Sequence, residues 1–334
     1  MTSSAAQTDR LVMLDGLRGI AAIGVMLYHL EVVFDAGVAF SRCYLFVDLF
    51  FLLSGFVLAR NSEARMTAPG GARRFLAGRV RRLWPMVALG VAAGCVVELA
   101  LGDPARIPLL AALALMMIPA FGVSQMLFPL NGPQWSLLME LLANLAHALV
   151  LSRISDRVLL GGIAIAGWLL AAMVLHVGSD TVGPFMPTLG YAAVRIAYPY
   201  MLGVWMARRH AGRTAKGTLG TPTVLVLPAA VLLILPGVPL APAFGDLACV
   251  LLLFPTVVWA AANAAPPSAV RPALARLGGL SFPLYAIHLP ILQLMASASG
   301  GAASRTSAIC LALAGADLVA RIAEPKRRRH LAVA

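Results

Sequence analysis

Apolar segments of about twenty residues recur along the whole chain and constrain its fold more than any other feature. A helix needs about 20 apolar residues to cross the ~30 Å hydrocarbon core of a bilayer. Of the 334 residues, 60% are hydrophobic and 12% are charged, whereas about a quarter are charged in a soluble domain. Strands of a β-barrel would be short and alternating. The sequence therefore predicts an all-α, polytopic membrane protein with a single integral-membrane domain over residues 1–334.

Basic clusters between the apolar segments predict the orientation, because cytoplasmic loops carry an excess of Arg and Lys. The segment 60–83 holds seven Arg and is predicted to be cytoplasmic, as are the tails 1–10 and 324–334. The net charge of +12 suits the anionic inner face of a membrane rather than nucleic acid. Both termini then lie in the cytoplasm, with about ten transmembrane helices. Their predicted bounds are 11–33, 43–59, 84–101, 135–152, 158–178, 188–207, 222–239, 243–265, 277–297 and 303–323.

Residues 102–134 are apolar enough for a further crossing, which would move the basic clusters that follow to the outer side. Three prolines, Pro108, Pro119 and Pro129, also interrupt a continuous helix here. We therefore expect an outer-face segment that is partly embedded and shielded by protein.

The first predicted helix carries Asp15, Arg18 and His29. A cation near the centre of a bilayer costs at least ~2.5 kcal/mol, so its presence there indicates a function. Arg18 and His29 are eleven residues apart, which at ~100° per residue places them on one helix face, about 16 Å apart. Alternatively, Arg18 extends to the inner headgroups and His29 forms an interfacial hydrogen bond. The joint pattern favours a functional face.

The segment that opens the fifth predicted helix contains Trp135, Ser136 and Glu140. Trp135 is also typical of a membrane interface, and Ser136 of a helix N-cap. Glu140 lies inside the membrane without an adjacent cation, so it needs an Arg or His from another helix as its partner. His147 follows near the same face and is equally compatible with a hydrogen-bonded core position.

Other polar side chains within apolar segments have simpler alternatives. Ser54 is in the middle of a span, where small residues commonly allow close helix packing. Tyr285 and His288 share a helix face with Ser281. The three side chains either contact a ligand or form a hydrogen-bonded trio that packs the helices together. Asp48 and Asp317 are intramembrane carboxylates without an evident partner in the sequence.

Arg79 and Arg82 belong to the basic segment, whose default role is to set topology. Arginine forks also bind phosphates, so these two residues are candidates for holding an anionic ligand at the cytoplasmic mouth. The four cysteines are scattered without the spacing of metal ligands, and the sequence predicts neither a metal site nor a tightly bound cofactor.

Taken in order, these motifs resemble the acyltransferase 3 family of bacterial membrane O-acyltransferases. The similarity covers essentially the whole chain, although Pro283 and Asn144-Leu145 depart from the family's usual residues. The matching motifs are Asp15-Gly-Leu-Arg18-Gly followed by His29, Phe50-Phe51-Leu-Leu-Ser54-Gly55-Phe56, Arg79-Val-Arg-Arg82-Leu-Trp-Pro85, Trp135-Ser136-Leu137 with Glu140, Ser281 to His288, and Ala323-Glu324-Pro325.

The resemblance implies transfer of an acyl group, most often acetyl from cytoplasmic acetyl-CoA, to a hydroxyl of a sugar or another envelope molecule. Acyl-CoA would be a substrate rather than a bound cofactor. Arg18, Arg79 and Arg82 would steer and hold the CoA. His29 would be the general base or be transiently acylated, and Glu140 would orient its ring or stabilise its charge. The remaining expected contacts to donor or acceptor are Asp15, Ser54, Trp135, Ser136, Tyr285 and His288.

Two other classes of function remain open on the sequence. Intramembrane His, Glu, Asp and Arg also serve proton-coupled transport of an anionic or polyol substrate, although inverted repeats with broken helices are not evident. A non-catalytic scaffold would tolerate substitution of Arg18 and His29.

Overall fold

A computed structural model describes residues 11–211, 220–298 and 301–331, with the side chains of 323–331 left undescribed. Within these ranges every regular element is a helix, and the remaining pairing is one isolated β-bridge between Met126 and Phe185, which confirms the predicted all-α class. The helices are α1 Val12–Phe34, α2 Phe46–Met66, α3 Gly71–Leu101, α4 Ile107–Leu115, α5 Gln134–Leu149, α6 Asp156–Val177, α7 Leu189–His210, α8 Thr221–Ile234, α9 Pro242–Ala248, α10 Phe254–Asn263, α11 Arg271–Ala298 and α12 Ala302–Leu331.

Eight helical segments in the described ranges are long and apolar enough to cross a membrane, so the chain is a multi-pass membrane protein. The sequence predicted about ten. The two additional predicted spans correspond to α7, which carries several charged residues, and to the short apolar helix α8. A π-helical turn, Cys249–Leu253, joins α9 and α10 into one membrane-length segment.

The basic segment 60–83 is mostly helical. The final turns of α2 and the first turns of α3 occupy it, and only residues 67–70 between them are irregular. α3 then continues through Pro85 as one helix of 31 residues. The segment 102–134 holds the nine-residue α4, whose length of about 14 Å is too short for a bilayer. The cytoplasmic and outer sides of these segments remain predictions, and the tail 1–10 lies outside the described residues.

Glycines bring α1 and α11 into close contact, and the two helices run in the same direction. A Cβ on Gly19 would lie 2.7 Å from Leu277 O, and one on Gly278 would lie 2.8 Å from Asp15 O. Small residues allow backbones to approach in this way. Ten residues, or about 15 Å, separate Gly278 from His288, which faces His29 at the other end of α1.

A second pair of parallel helices, α2 and α7, packs equally closely. A Cβ on Gly55 would overlap the backbone oxygen of Tyr200. Side chains join these helices at both ends, Asp48 to Arg195 at the first end and Arg60 to His210 at the second. The first end, where α2 and α7 begin, is also the His29 end of α1, because Tyr28 packs against Tyr44.

Candidate active site

Two histidines from distant parts of the chain meet between α1 and α11. His29 Nδ1 lies 3.0 Å from His288 Nε2, and the ring centroids are 5.0 Å apart. His288 is buried, whereas His29 is partly exposed. Tyr28 packs edge-on against His29 at 5.0 Å. The pair thus joins one buried ring to one that is partly exposed.

Tyr285 and Ser136 continue the polar contacts from this pair. The Tyr285 ring is 5.8 Å from that of His288, and its hydroxyl is hydrogen-bonded to Ser136 Oγ at 2.6 Å. Ser136 Oγ also donates to Pro133 O at 3.0 Å. Ser136 therefore lies inside α5, which begins at Gln134, and is not its N-cap.

Glu140 has the cationic partner that its position requires. Arg79 Nη2 donates to Glu140 Oε1 at 2.6 Å, and Ser54 Oγ donates to the same oxygen at 3.0 Å. The Arg79 and Glu140 side chains are 10% and 16% exposed, so water screens this ion pair only weakly. The structure therefore pairs Glu140 with Arg79 and Ser54, and pairs His29 with His288.

The remaining predicted residues lie on the same helices. Arg18 and Asp15 are half-buried on α1, and both make contacts with other groups. Arg82 is exposed on α3, unlike Arg79 three residues earlier. Trp135 is buried and packs against Phe51.

The most buried charged cluster was not predicted and centres on Arg195 of α7. Its Nη2 donates to Asp48 Oδ2 at 2.7 Å and its Nε to Asp48 Oδ1 at 3.1 Å. Its Nη1 and Nη2 also donate to Val182 O and Tyr44 O. The guanidinium lies 5.6 Å from the centre of the Trp135 ring, a cation–π distance.

Two further carboxylates complete this Arg195 cluster. Asp180 Oδ2 lies 3.4 Å from Arg195 Nε. Asp246 accepts from Tyr44 and from Arg42. Burial raises the pKa of the Asp180 carboxyl well above its usual range; Arg195 opposes this effect, and the charges of Asp48 and Asp246 add to it.

A second unpredicted network connects the far ends of α2, α5, α6 and α7. Arg208 Nη2 donates to Glu63 Oε1 at 2.6 Å, and Arg208 Nη1 to Asp156 Oδ1 at 3.1 Å. His147 lies 3.2 Å from Glu63 and 3.1 Å from the Tyr200 hydroxyl. His147 is thus the hydrogen-bonded core residue that the sequence allowed as one alternative.

The Asp48–Arg195 pair had a signal in the sequence. Both residues lie in predicted spans, where unpaired charges are costly, so each implied an opposite partner. Asp317 likewise pairs with Arg276 and Arg321. Sequence separation hid the partners, since Asp48 and Arg195 are 147 residues apart.

No cluster of three or more His, Cys, Asp or Glu suited to a metal ion occurs among residues 11–211, 220–298 and 301–331. That the protein needs no metal or bound cofactor remains a prediction. Arg79 and Arg82 were both predicted to hold the donor, but their surroundings differ. Arg79 is paired with Glu140, whereas Arg82 is exposed.

Comparisons with known proteins agree with the resemblance drawn from the motifs. A family profile described as an acyltransferase domain, that of acyltransferase 3, matches residues 11–321. "Protein 2 in picA locus" from Rhizobium radiobacter is 34% identical over 167 residues, which cover 43% of this chain and 84% of that protein. No solved structure matches. The chain belongs to the acyltransferase 3 family and is a membrane enzyme that transfers acyl groups.

Proposed function

We propose that the enzyme transfers an acetyl group from cytoplasmic acetyl-CoA to a hydroxyl of a sugar in an envelope or secreted glycan. The observation that carries this proposal is the His29–His288 pair, in which a partly exposed imidazole is held by a buried one. A neutral imidazole can remove the hydroxyl proton as oxygen attacks the thioester, and general-base catalysis of this kind contributes about 10²–10⁴-fold to a rate.

The donor would approach from the end where α3 begins. The first turns of α3 carry the exposed Arg73, Arg74, Arg81 and Arg82, and guanidinium groups bind phosphates with paired hydrogen bonds. This charge density suits the phosphates of CoA, and by the positive-inside rule it faces the cytoplasm of a bacterial inner membrane.

The acceptor would approach from the opposite end, near the beginnings of α2 and α7. His29 lies at this end of α1, with Tyr28 and Tyr285 beside the histidine pair. Aromatic faces and hydroxyls are suited to a sugar, which presents both C–H surfaces and hydroxyls. The route between the two ends would pass the group formed by Arg79, Glu140 and Ser54. Ser54 lies about 9 Å further along α2 than Asp48.

Mass spectrometry of envelope glycans and secreted products from cells with and without the gene tests the acceptor and the acyl group. We expect loss of an acetyl-ester mass in the deletion strain, restored by the wild-type gene and not by His29→Ala. His176→Ala is the matched control, because His176 is exposed at the end of α6. If the His29→Ala protein is present in the membrane at the normal level and restores the acetyl-ester mass, the role of His29 is refuted. Proton flux linked to a substrate without acetyl-CoA consumption would instead indicate a transporter.

A further inference from the structure

The buried histidine has a defined proton position. His288 Nδ1 lies 3.0 Å from Leu284 O, one turn earlier in α11. A backbone carbonyl only accepts hydrogen bonds, so Nδ1 must carry the proton. Neutral imidazole has a single N–H, and Nε2 of His288 therefore presents a lone pair.

This lone pair determines the proton position on His29. His29 Nδ1 lies 3.0 Å from His288 Nε2 and 3.0 Å from Val25 O. Both neighbours are acceptors, so Nδ1 of His29 carries the proton and shares it between them. The lone pair of neutral His29 is then on Nε2, to which no hydrogen bond is made within residues 11–211, 220–298 and 301–331.

We propose that His288 is a positioning residue that holds His29 in the tautomer with a proton on Nδ1, which makes Nε2 the catalytic base. This inference rests on the proposed function of His29. Nε2 takes the proton of the acceptor hydroxyl while its oxygen bonds to the thioester carbon. The C–S bond then breaks, and Nε2 returns the proton to the CoA sulfur, so the products are an ester and free CoA.

His288 also assists after the first proton transfer. His29 is then a cation with N–H groups on both nitrogens, and Nδ1–H still donates to the neutral ring of His288. The carboxylate of a catalytic triad has this role elsewhere. The family resemblance implies this role for Glu140 and a substrate contact for His288, whereas the geometry places His288 against His29 and Glu140 against Arg79.

The tautomer can be tested without any measurement of activity. Full-length protein labelled with ¹⁵N-histidine is studied by NMR in micelles, and the two residues are assigned from the spectra of His29→Gln and His288→Gln. We expect a protonated Nδ1 and an unprotonated Nε2 on both rings at neutral pH. A protonated Nε2 on neutral His29 would overturn the proposal, even if the enzyme transfers acetyl groups.

Kinetics separate positioning from substrate binding. His288→Leu removes the hydrogen-bond acceptor of His29 Nδ1, whereas His288→Gln places an amide oxygen near the position of Nε2. We expect His288→Leu to lower kcat about 10- to 100-fold with KM for donor and acceptor nearly unchanged. This loss is at or below the lower end of the 10²–10⁴-fold range for complete loss of a general base, because Val25 O still accepts from Nδ1. His288→Gln should recover most of kcat.

Three kinetic outcomes would overturn the proposal: a wild-type kcat in His288→Leu, a loss confined to acceptor KM, or equal defects in the Leu and Gln variants. Thermal unfolding of each variant in detergent identifies any general loss of folding. If His288→Leu does not fold, the comparison of His288→Gln with wild type and the NMR measurement decide. A wild-type protein that transfers no acetyl group but has the expected tautomers would refute the proposed function alone.

Discussion

The Asp48–Arg195 ion pair offers the most direct test of how polar groups stabilise this membrane protein. Asp48 is 0% and Arg195 2% exposed, and the guanidinium donates to both carboxylate oxygens. Removing one partner of a buried pair costs about 3–5 kcal/mol, mostly because the other charge remains without compensation. The perturbations are Asp48→Asn, Arg195→Gln and the double variant.

The neighbours of the pair set the expected order of the two losses. In Asp48→Asn, Arg195 keeps Asp180 at 3.4 Å. Loss of the Asp48 charge favours ionisation of Asp180 beside Arg195, so we expect a loss of unfolding free energy near 3 kcal/mol. Arg195→Gln leaves two buried carboxyl groups, Asp48 and Asp180, without their shared cation, and we expect a loss of about 5 kcal/mol. The double variant should lose about 5 kcal/mol rather than 8, a coupling of about 3 kcal/mol.

Equilibrium unfolding in mixed micelles with increasing SDS, followed by circular dichroism, measures these free energies. Arg209→Gln is the control, because its partner Asp156 is also acidic but the pair lies at helix ends and Arg209 is 52% exposed, and exposed ion pairs contribute little. Losses that add in the double variant to within about 0.5 kcal/mol would refute the reasoning, since additivity indicates no direct interaction.

Three further predictions concern packing, pH and the donor. Gly55→Ala should lower the unfolding free energy by about 1–3 kcal/mol, because the added methyl overlaps the α7 backbone. Gly78 has open space around it, so Gly78→Ala should raise the unfolding free energy by about 0.4–1 kcal/mol. Equal effects of the two substitutions in SDS unfolding would contradict this prediction. Because the pKa of Asp180 is raised in the folded state, its stabilising contribution is present at low pH and is lost as pH rises through the folded value. Asp180→Asn should therefore match wild type near pH 4 and become progressively more stable than wild type above it, and parallel stability–pH curves would be inconsistent with a buried protonated acid. Arg82→Gln should raise KM for acetyl-CoA about 10-fold, as expected for one lost charge-assisted hydrogen bond, with exposed Arg106→Gln as control; an unchanged KM would remove Arg82 from the donor site.

Hydropathy predicted where helices occur better than it predicted what they contact. The apolar runs placed the ends of α1 within one residue and those of α11 within six, because a bilayer requires long helices whatever their partners. The polar composition of 60–83 predicts a connection between spans, since composition alone does not show that Arg side chains can extend from a helix that continues into the membrane. The continuous passage of α3 through Pro85 was missed for the same reason.

Within the site, the sequence predicted the need for partners but not their identity. Glu140 was expected to require a cation, and the structure supplies Arg79, 61 residues earlier. His29 and His288 were both singled out, yet 259 residues separate them, and no periodicity connects positions on different helices. Arg195 was missed because its run reads as an ordinary apolar span with one charge.

The glycine contacts between α1 and α11 have a consequence for evolution of the enzyme. They lie about 15 Å from the imidazole pair along each helix, but they set the axial offset of one backbone against the other. A shift of one residue would move the rings about 1.5 Å relative to each other and break a 3.0 Å hydrogen bond. Side-chain enlargement at Gly19 or Gly278 should therefore inactivate the enzyme while every polar group remains present, so inactive natural variants need not have changed any ionisable residue.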